Sequence, residues 1–236
     1  MANPATYDPT TILEPNDTEF NNRVVVHDID LPQFLSRPTD KQFPSHYSNR
    51  KPYVMILENV CTPEECQRLI DLSEAQNYTP ALLNIGGGRE TLATDVRNND
   101  RYIRDDPELA ELLWRRLKYF IPATFANDSM DVVGLNERLR FLRYDPGQKF
   151  EAHMDGTYYR PGGQEMSCVT IQLYLNEGFK GGETTFLGSG RDFAVVPKTG
   201  MVLIFEHALL HEGSAVTEGR KYAIRTDVMY RRKPKV

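Results

Sequence analysis

The chain has 236 residues, a formal net charge of −5 and 40% hydrophobic residues, an ordinary globular composition. The acidic balance argues against broad binding to DNA or RNA, which favours a basic surface. No apolar stretch approaches the roughly 20 residues of a membrane-spanning helix, and the first residues lack the basic and apolar segments of a signal peptide. We therefore expect neither nucleic acid nor membrane as a partner.

Cysteine usage indicates the redox compartment. The three cysteines, Cys61, Cys66 and Cys168, are odd in number and form no CxxC pair. A disulfide framework is therefore not expected, and a reducing compartment fits best. The sequence predicts a cytoplasmic protein.

The first part of the chain predicts an extended arm followed by two helices. Residues 1–50 are rich in Pro, Asp, Asn and Thr, with at most one short strand near residues 23–27. After a short apolar strand at 53–60, Thr62 and Pro63 begin a helix, with Glu65 completing a capping box.

A glycine-rich, charged stretch at 83–101 predicts a loop that is a candidate lid. The pair Asp106-Pro107 then begins a second helix with leucines on one face.

After Asn136 the pattern changes to short strands separated by turn residues. The predicted strands are 138–145, 149–155, 167–176, 183–187, 193–197, 200–206 and 220–231. Many short strands at this spacing are typical of a sandwich or barrel. We predict an α+β fold with a mainly β core, a double-stranded β-helix (jelly roll) supported by N-terminal helices. The arm would cover 1–50 and a single domain 51–236, with the jelly-roll core at about 137–232.

Two histidines and one aspartate are candidate metal ligands. His153 and Asp155 alternate, so on an extended strand they share one face, and His211 follows the apolar strand 201–205. Two imidazoles and one carboxylate leave three coordination positions open, which is the arrangement of non-haem Fe(II) oxygenases. Because no cysteine lies nearby, a structural zinc site is disfavoured.

The last strand carries candidate residues for an anionic co-substrate. Lys221, Arg225 and Asp227 alternate along 220–231 and therefore share one face. Lys221 and Arg225 are both candidates to bind the far carboxylate of 2-oxoglutarate inside the barrel. Because a buried cation needs an anionic partner, Asp227 could pair with Arg225, which leaves Lys221 for the co-substrate.

Substrate contacts are predicted for residues close to these ligands. The loop 156–163 follows the histidine–aspartate pair, and loops beside a site often carry specificity, so we expect Tyr158, Tyr159 and Arg160 to border the substrate. Arg143 is a further candidate at the mouth of the barrel. His207 is interpreted as a loop residue.

Several motifs in order resemble a known family. The motifs are YDPGQKFEAHMD at 144–155, TIQLYLN at 170–176, GGETTF at 181–186, PKTG at 197–200, and His211 followed ten positions later by Lys221. With these motifs in this order, the segment 142–230 resembles the catalytic domain of the prolyl 4-hydroxylase group of Fe(II)/2-oxoglutarate dioxygenases.

The resemblance implies an enzyme that hydroxylates an unactivated C–H bond with dioxygen and releases succinate and CO₂. It implies Fe(II) ligands His153, Asp155 and His211, with Lys221 on the 2-oxoglutarate carboxylate and Tyr144 hydrogen-bonded to the co-substrate. Expected cofactors are Fe(II) and 2-oxoglutarate, with ascorbate as a further candidate.

The sequence departs from the family pattern where substrate is held. Ser167 occupies the position where peptidyl prolyl hydroxylases usually carry a substrate-binding arginine, and Tyr222 replaces a tryptophan after the lysine. The substrate is therefore either peptidyl proline or a free amino acid or other small metabolite. A peptidyl-lysine hydroxylase and a non-catalytic jelly-roll binding protein are the alternatives.

Overall fold

The computed structural model describes residues 13, 23–29, 52–85, 89–188 and 191–234. Most of the expected N-terminal arm and the Gly86–Gly88 run lie outside the described residues. Within the arm, strand β1 (Val25–Asp28) forms where a short strand was predicted. The proposed domain boundary near residue 51 stays a prediction.

Both predicted helices begin at the expected residues. Helix α1 (Pro63–Glu74) has Thr62 as its N-cap, with the reciprocal capping box to Glu65 complete. Helix α2 (Pro107–Leu117) is capped by Asp106, and a short 3₁₀ turn, Lys118–Phe120, follows it. Each cap satisfies backbone N–H groups that have no partner within the helix, which is why the sequence signal located both helix starts.

The remaining described elements are strands. In chain order they are β2 (Val54–Glu58), β3 (Thr79–Pro80), β4 (Leu83–Asn84), β5 (Glu90–Thr91), β6 (Asp100–Asp105), β7 (Thr124–Phe125), β8 (Met130–Leu135), β9 (Arg138–Tyr144), β10 (Phe150–His153), β11 (Glu165–Tyr174), β12 (Lys180–Gly181), β13 (Thr184–Phe186), β14 (Phe193–Val195), β15 (Val202–Glu206), β16 (His211–Gly213), β17 (Val216–Glu218) and β18 (Lys221–Arg232). Every strand predicted after Asn136 is present. Strands β3 to β8, β12, β16 and β17 were not predicted, because their alternation is brief or broken by charged residues and glycine.

The strands form two main sheets. The larger has the order β1-β2-β15-β11-β18-β9-β6-β3, with β7 and β8 attached beside β18, and the smaller has the order β10-β16-β13-β14. An apolar cluster joins them, with Tyr174 and Leu203 from the larger sheet and Phe186 and Val195 from the smaller one. Two sheets that share a core in this way make the predicted jelly roll.

The helices cover the other face of the larger sheet. Leu69 of α1 and Leu113 of α2 belong to one buried cluster with Ile171 and Ile224 from the sheet. Alternation along β18 therefore directs Ile224 towards the helices and its neighbours Ala223 and Arg225 towards the space between the sheets.

Among the described residues, none of the helices combines the length and apolar character needed to cross a membrane.

Candidate metal centre

Strand pairing brings the two histidines together. His153 ends β10 and lies directly opposite His211, the first residue of β16, and their ring centroids are 4.3 Å apart. Strand β10 ends two residues before Asp155, so the carboxylate follows the strand instead of ending it as the sequence predicted. The Asp155 backbone N–H donates to the carbonyl of His207. Ligand atoms of all three side chains lie within 4.8 Å of one another.

Each imidazole is oriented by its own backbone. Nδ1 of His153 lies 2.8 Å from the Glu151 carbonyl, and Nδ1 of His211 lies 2.9 Å from the Leu209 carbonyl. Because a carbonyl oxygen only accepts, each Nδ1 is the protonated nitrogen and each Nε2 keeps a free lone pair. The Nε2 atoms of His153 and His211 lie 3.7 and 3.9 Å from the Asp155 carboxylate.

The protonation states suit a cation. Burial, together with the neighbouring His211, lowers the pKa of His153 to about 3, and burial also lowers the pKa of His211. Burial alone would raise the pKa of Asp155, but the neighbouring Arg225 guanidinium holds it below its usual range. Two neutral imidazoles and one carboxylate are the donor states that a metal ion requires, so this set fits a ferrous ion.

A buried network fixes the carboxylate. Asp155 accepts a hydrogen bond of 2.5 Å from Thr170 Oγ1 and forms an ion pair of 3.0 Å with Arg225. Arg225 also pairs with Asp227 at 3.1 Å, and Asp227 pairs with Arg140 at 3.2 Å. The Arg225–Asp227 pair that strand alternation predicted is therefore present, and Arg225 in addition holds Asp155, an orienting role typical of groups behind metal ligands.

Lys221 lies deeper between the sheets. Its Nζ donates to the Gly182 carbonyl at 2.6 Å and lies 5.1 and 5.4 Å from the ring centroids of Tyr144 and Tyr174. Burial lowers the pKa of Lys221 to about 8. Among the residues that the structure describes, no carboxylate forms an ion pair with it. An anionic ligand would supply the missing counter-charge.

One cavity contains most of the predicted site. His153, Asp155, His211, Lys221, Tyr144 and Arg225 all line it. Phe150 stacks on the His153 ring with centroids 3.5 Å apart, and Phe205 meets the His211 ring edge-on at 4.6 Å. Phe150 therefore covers one face of the His153 ring, and Phe205 packs against the His211 ring.

The four predicted substrate residues do not line this cavity. Alternation along β9 turns Leu142 and Tyr144 towards the cavity, so Arg143 faces outwards and pairs with Glu74 and Asp100. Arg143 therefore does not line the cavity, and its predicted contact with the substrate at the mouth stays a prediction.

The loop after the ligands also runs away from the cavity. Arg160 pairs with Glu137 and Glu165, while the Tyr158 and Tyr159 side chains are exposed. The prediction rested on closeness in sequence, but the Tyr158 backbone N–H donates to Ser167 Oγ and ties the loop to the start of β11. Contact with these residues would need a substrate that extends beyond the cavity.

Sequence reasoning missed Arg97, Thr170 and Gln172. The sequence predicted the strand that contains Thr170 and Gln172 but assigned neither residue a role in the site. Arg97 lies in the stretch predicted as a loop, and it reaches the cavity because a bridge pairs its backbone with Phe150. No local signal marks such a long-range pairing. His207, interpreted as a loop residue, lies in the turn after β15, where it is buried 3.5 Å from Asp227 Oδ1.

Residues 139–226 match the family model of the 2OG-Fe(II) oxygenase superfamily. Among curated proteins, the chain is 26% identical over 206 residues to a probable prolyl 4-hydroxylase 10 and 29% identical over 209 residues to prolyl 4-hydroxylase 2, both from Arabidopsis thaliana. These matches cover 73% of this chain and 67% and 66% of the relatives. Other prolyl 4-hydroxylases of that plant are matched over about half of their length.

Solved structures share the fold. One is a prolyl hydroxylase from Trichoplax adhaerens in complex with a hypoxia inducible factor peptide fragment, with a TM-score of 0.58 at 17% identity, covering 74% of this chain and 82% of that one. Another is a viral collagen prolyl hydroxylase from Paramecium Bursaria Chlorella virus-1 in complex with 2OG, with a TM-score of 0.53 at 20% identity, covering 76% and 96%. At these identities the likeness establishes the jelly-roll architecture.

Proposed function

We propose that this chain, which belongs to the 2OG-Fe(II) oxygenase superfamily through a prolyl 4-hydroxylase-like domain, is a dioxygenase that hydroxylates an unactivated C–H bond and releases succinate and CO₂. The observation that carries the proposal is the convergence of two imidazoles and a carboxylate in one cavity with a buried, unpaired ammonium group. A jelly-roll protein that binds no anion would have no need of that costly charge.

The side chains have distinct roles in this proposal. His153, Asp155 and His211 hold Fe(II), while Lys221 binds the far carboxylate of 2-oxoglutarate. Bound together, the ferrous ion and 2-oxoglutarate supply the activation of dioxygen for C–H oxidation. Arg225 keeps Asp155 aimed at the metal position through their 3.0 Å ion pair.

Other cavity residues orient the co-substrate and exclude water. The Tyr144 hydroxyl is available to donate a hydrogen bond, because burial raises the pKa of that phenol. The rings of Phe150 and Phe205 cover the histidines and keep the oxidation away from bulk water.

The substrate is proposed from the relatives' names. Prolyl hydroxylases among the curated proteins favour peptidyl proline, and the absence of an arginine at Ser167 favours a free amino acid or other small metabolite. Peptidyl lysine is the remaining alternative.

The proposal also includes a cytoplasmic location, supported by three cysteines that are all free, and it includes neither nucleic acid nor membrane as a partner. Ascorbate dependence belongs to the proposal as well.

Binding of metal and co-substrate is tested first. Fe(II) is added to the protein under argon, followed by 2-oxoglutarate, and the weak visible charge-transfer band is recorded. We expect the band in the wild-type protein and its loss in His211→Ala. The matched control is His27→Ala, which removes an exposed histidine outside the cavity and should keep the band.

Catalysis is then tested in air. Succinate is measured with proline-rich peptides, lysine peptides and free amino acids, with and without ascorbate, and products are examined for a gain of 16 Da. Coupled turnover in the wild type and none in His211→Ala supports the proposal. Wild-type turnover in His211→Ala would refute it, and a charge-transfer band without any succinate would favour the non-catalytic alternative.

A further inference from the structure

Arg97 is a second buried cation in the cavity without a carboxylate partner. Its side chain lies on the cavity wall and is only 9% exposed. The other buried arginines are neutralised: Arg101 pairs with Glu90 at 2.7 Å and Arg116 pairs with Glu65 at 2.6 Å. Among the described residues that are buried, only Arg97 and Lys221 carry a positive charge without an ion pair.

The Arg97 guanidinium is held in place. Its Nε donates to Asn99 Oδ1 at 2.9 Å, and its carbon Cζ lies 4.4 Å from the centroid of the Phe150 ring. The backbone is fixed as well, because Glu151 N donates to the Val96 carbonyl beside the Arg97–Phe150 bridge. A charge that is fixed before binding loses little side-chain freedom when a ligand arrives, so this is the arrangement of a binding group.

The two unpaired cations line the same cavity and have Tyr144 as a common neighbour. Lys221 lies 5.4 Å from the ring centroid of Tyr174, whereas Arg97 lies over Phe150, the ring that stacks on the metal-ligand candidate His153. Under the proposed function, the far carboxylate of 2-oxoglutarate binds Lys221. Arg97 lies on the wall of the cavity that the metal ligands also line, and its charge interacts with that of Asp155, so it is placed to hold another part of the bound molecules than Lys221 does.

We infer that Arg97 binds a carboxylate carried by the molecule whose C–H bond is oxidised, and that the enzyme selects acidic substrates through it. The inference rests on the proposed function and narrows its substrate class. A planar guanidinium matches a carboxylate with two parallel hydrogen bonds, and its burial excludes competing water. The carboxylate belongs either to a free amino acid or to a peptide.

The test compares acids with their amides. Protein loaded with Mn(II) and 2-oxoglutarate is titrated under argon with three matched pairs: L-proline and L-prolinamide, L-lysine and L-lysinamide, and a proline-terminated tripeptide with a free or amidated C-terminus. Calorimetry gives each dissociation constant. Removing a hydrogen bond to a charged group corresponds to a loss of roughly 10- to 100-fold. We expect the wild type to prefer at least one acid over its amide by that factor.

Variants assign the preference to Arg97. In Arg97→Gln the acid should lose about 10- to 100-fold in affinity while the amide changes little, and Arg97→Lys should keep part of the preference. Arg101→Gln is the matched control: it removes a buried arginine of the same segment that is already paired with Glu90, so the preference should persist. The 2-oxoglutarate titration of each variant shows that its metal centre is intact.

The outcomes separate the two proposals. Equal binding of acid and amide, binding of neither, or an unchanged preference in Arg97→Gln overturns the role of Arg97. Weaker 2-oxoglutarate binding in Arg97→Gln also overturns it, because Arg97 would then belong to the co-substrate site. Failure of the wild type to bind 2-oxoglutarate at all would instead overturn the proposed function. The free amino acid and the tripeptide pairs distinguish the two sources of the carboxylate.

Discussion

Lys221 carries its charge where water does not reach it. The side chain is 3% exposed, its ammonium group has one hydrogen bond to a backbone carbonyl, and burial lowers its pKa to about 8. A group held this way is unfavourable for the ligand-free protein and favourable for the complex with an anion. This is the pattern expected of a residue retained for binding.

The charge of Lys221 predicts how co-substrate binding depends on pH. Because the protonated ammonium binds the carboxylate, the dissociation constant for 2-oxoglutarate should stay flat below pH 8 and increase as the pH passes through about 8 and the group loses its proton. In Lys221→Met the affinity should fall roughly 10- to 100-fold, since a hydrogen bond to a charged group is lost, and this pH dependence should disappear.

Anaerobic titration from pH 6.5 to 9.5 with Mn(II) measures both effects. The matched control is Lys180→Met, which removes an exposed lysine paired with Glu218 on the surface. Its affinity and pH profile should equal those of the wild type. A Lys221→Met protein that binds 2-oxoglutarate as tightly as the wild type would show that another cation holds the carboxylate.

At the scale of elements, the turn between β14 and β15 connects the helix layer to the central strands of the larger sheet. Gly200 has a φ of +75°, and its carbonyl accepts hydrogen bonds from Val60 and Cys61 just before α1. Its own N–H donates to Tyr174 at the end of β11. One glycine therefore fixes the start of β15 to both the helix layer and the central strand.

Gly200→Ala should be strongly destabilising. An added Cβ would lie 2.0 Å from the Cys61 carbonyl oxygen, and an alanine would also be strained at this positive φ. We expect a loss of about 4 kcal/mol in the free energy of unfolding. In the control, Gly162→Ala, the φ is +89° with no atom within 4 Å of the added Cβ, so only strain of about 1 kcal/mol remains. Urea unfolding measures the loss of unfolding free energy in both variants. Equal losses would show that the Cys61 backbone moves away from the added Cβ at no cost in stability.

At the scale of the whole molecule, the site belongs to neither sheet alone. The smaller sheet supplies both histidines from β10 and β16, and the larger sheet supplies Lys221 and Arg225 from β18. Ligands that bridge these elements can bind only the folded chain. Occupation of the site should therefore stabilise the entire jelly roll.

Thermal or urea unfolding under argon measures this coupling. At 100 times its dissociation constant, one ligand stabilises the folded state by about 2.7 kcal/mol, so Mn(II) with 2-oxoglutarate should raise the stability of the wild type by at least this amount. The gain should vanish in His211→Ala and persist in His27→Ala. An equal gain in His211→Ala would place the bound metal elsewhere.

The sequence by itself determined the helix starts, the alternation of the core strands and the residues of the HxD and distal histidine motifs. Caps and alternation are local effects, decided within a few residues, which is why Thr62, Asp106 and the shared face of Lys221 and Arg225 were predicted correctly. Arg160 and Arg143 were proposed as substrate residues on other grounds, their closeness to the ligands, and the structure pairs both with carboxylates outside the cavity.

Only the tertiary structure decided which charges remain unpaired. Arg143 and Arg160 find carboxylates on neighbouring elements, while Arg97, from a stretch without any motif, lies buried over Phe150. The reason is that pairing between distant segments sets both the partner and the burial of a side chain. Neither the partner nor the burial can be predicted from the residues that neighbour the side chain in sequence.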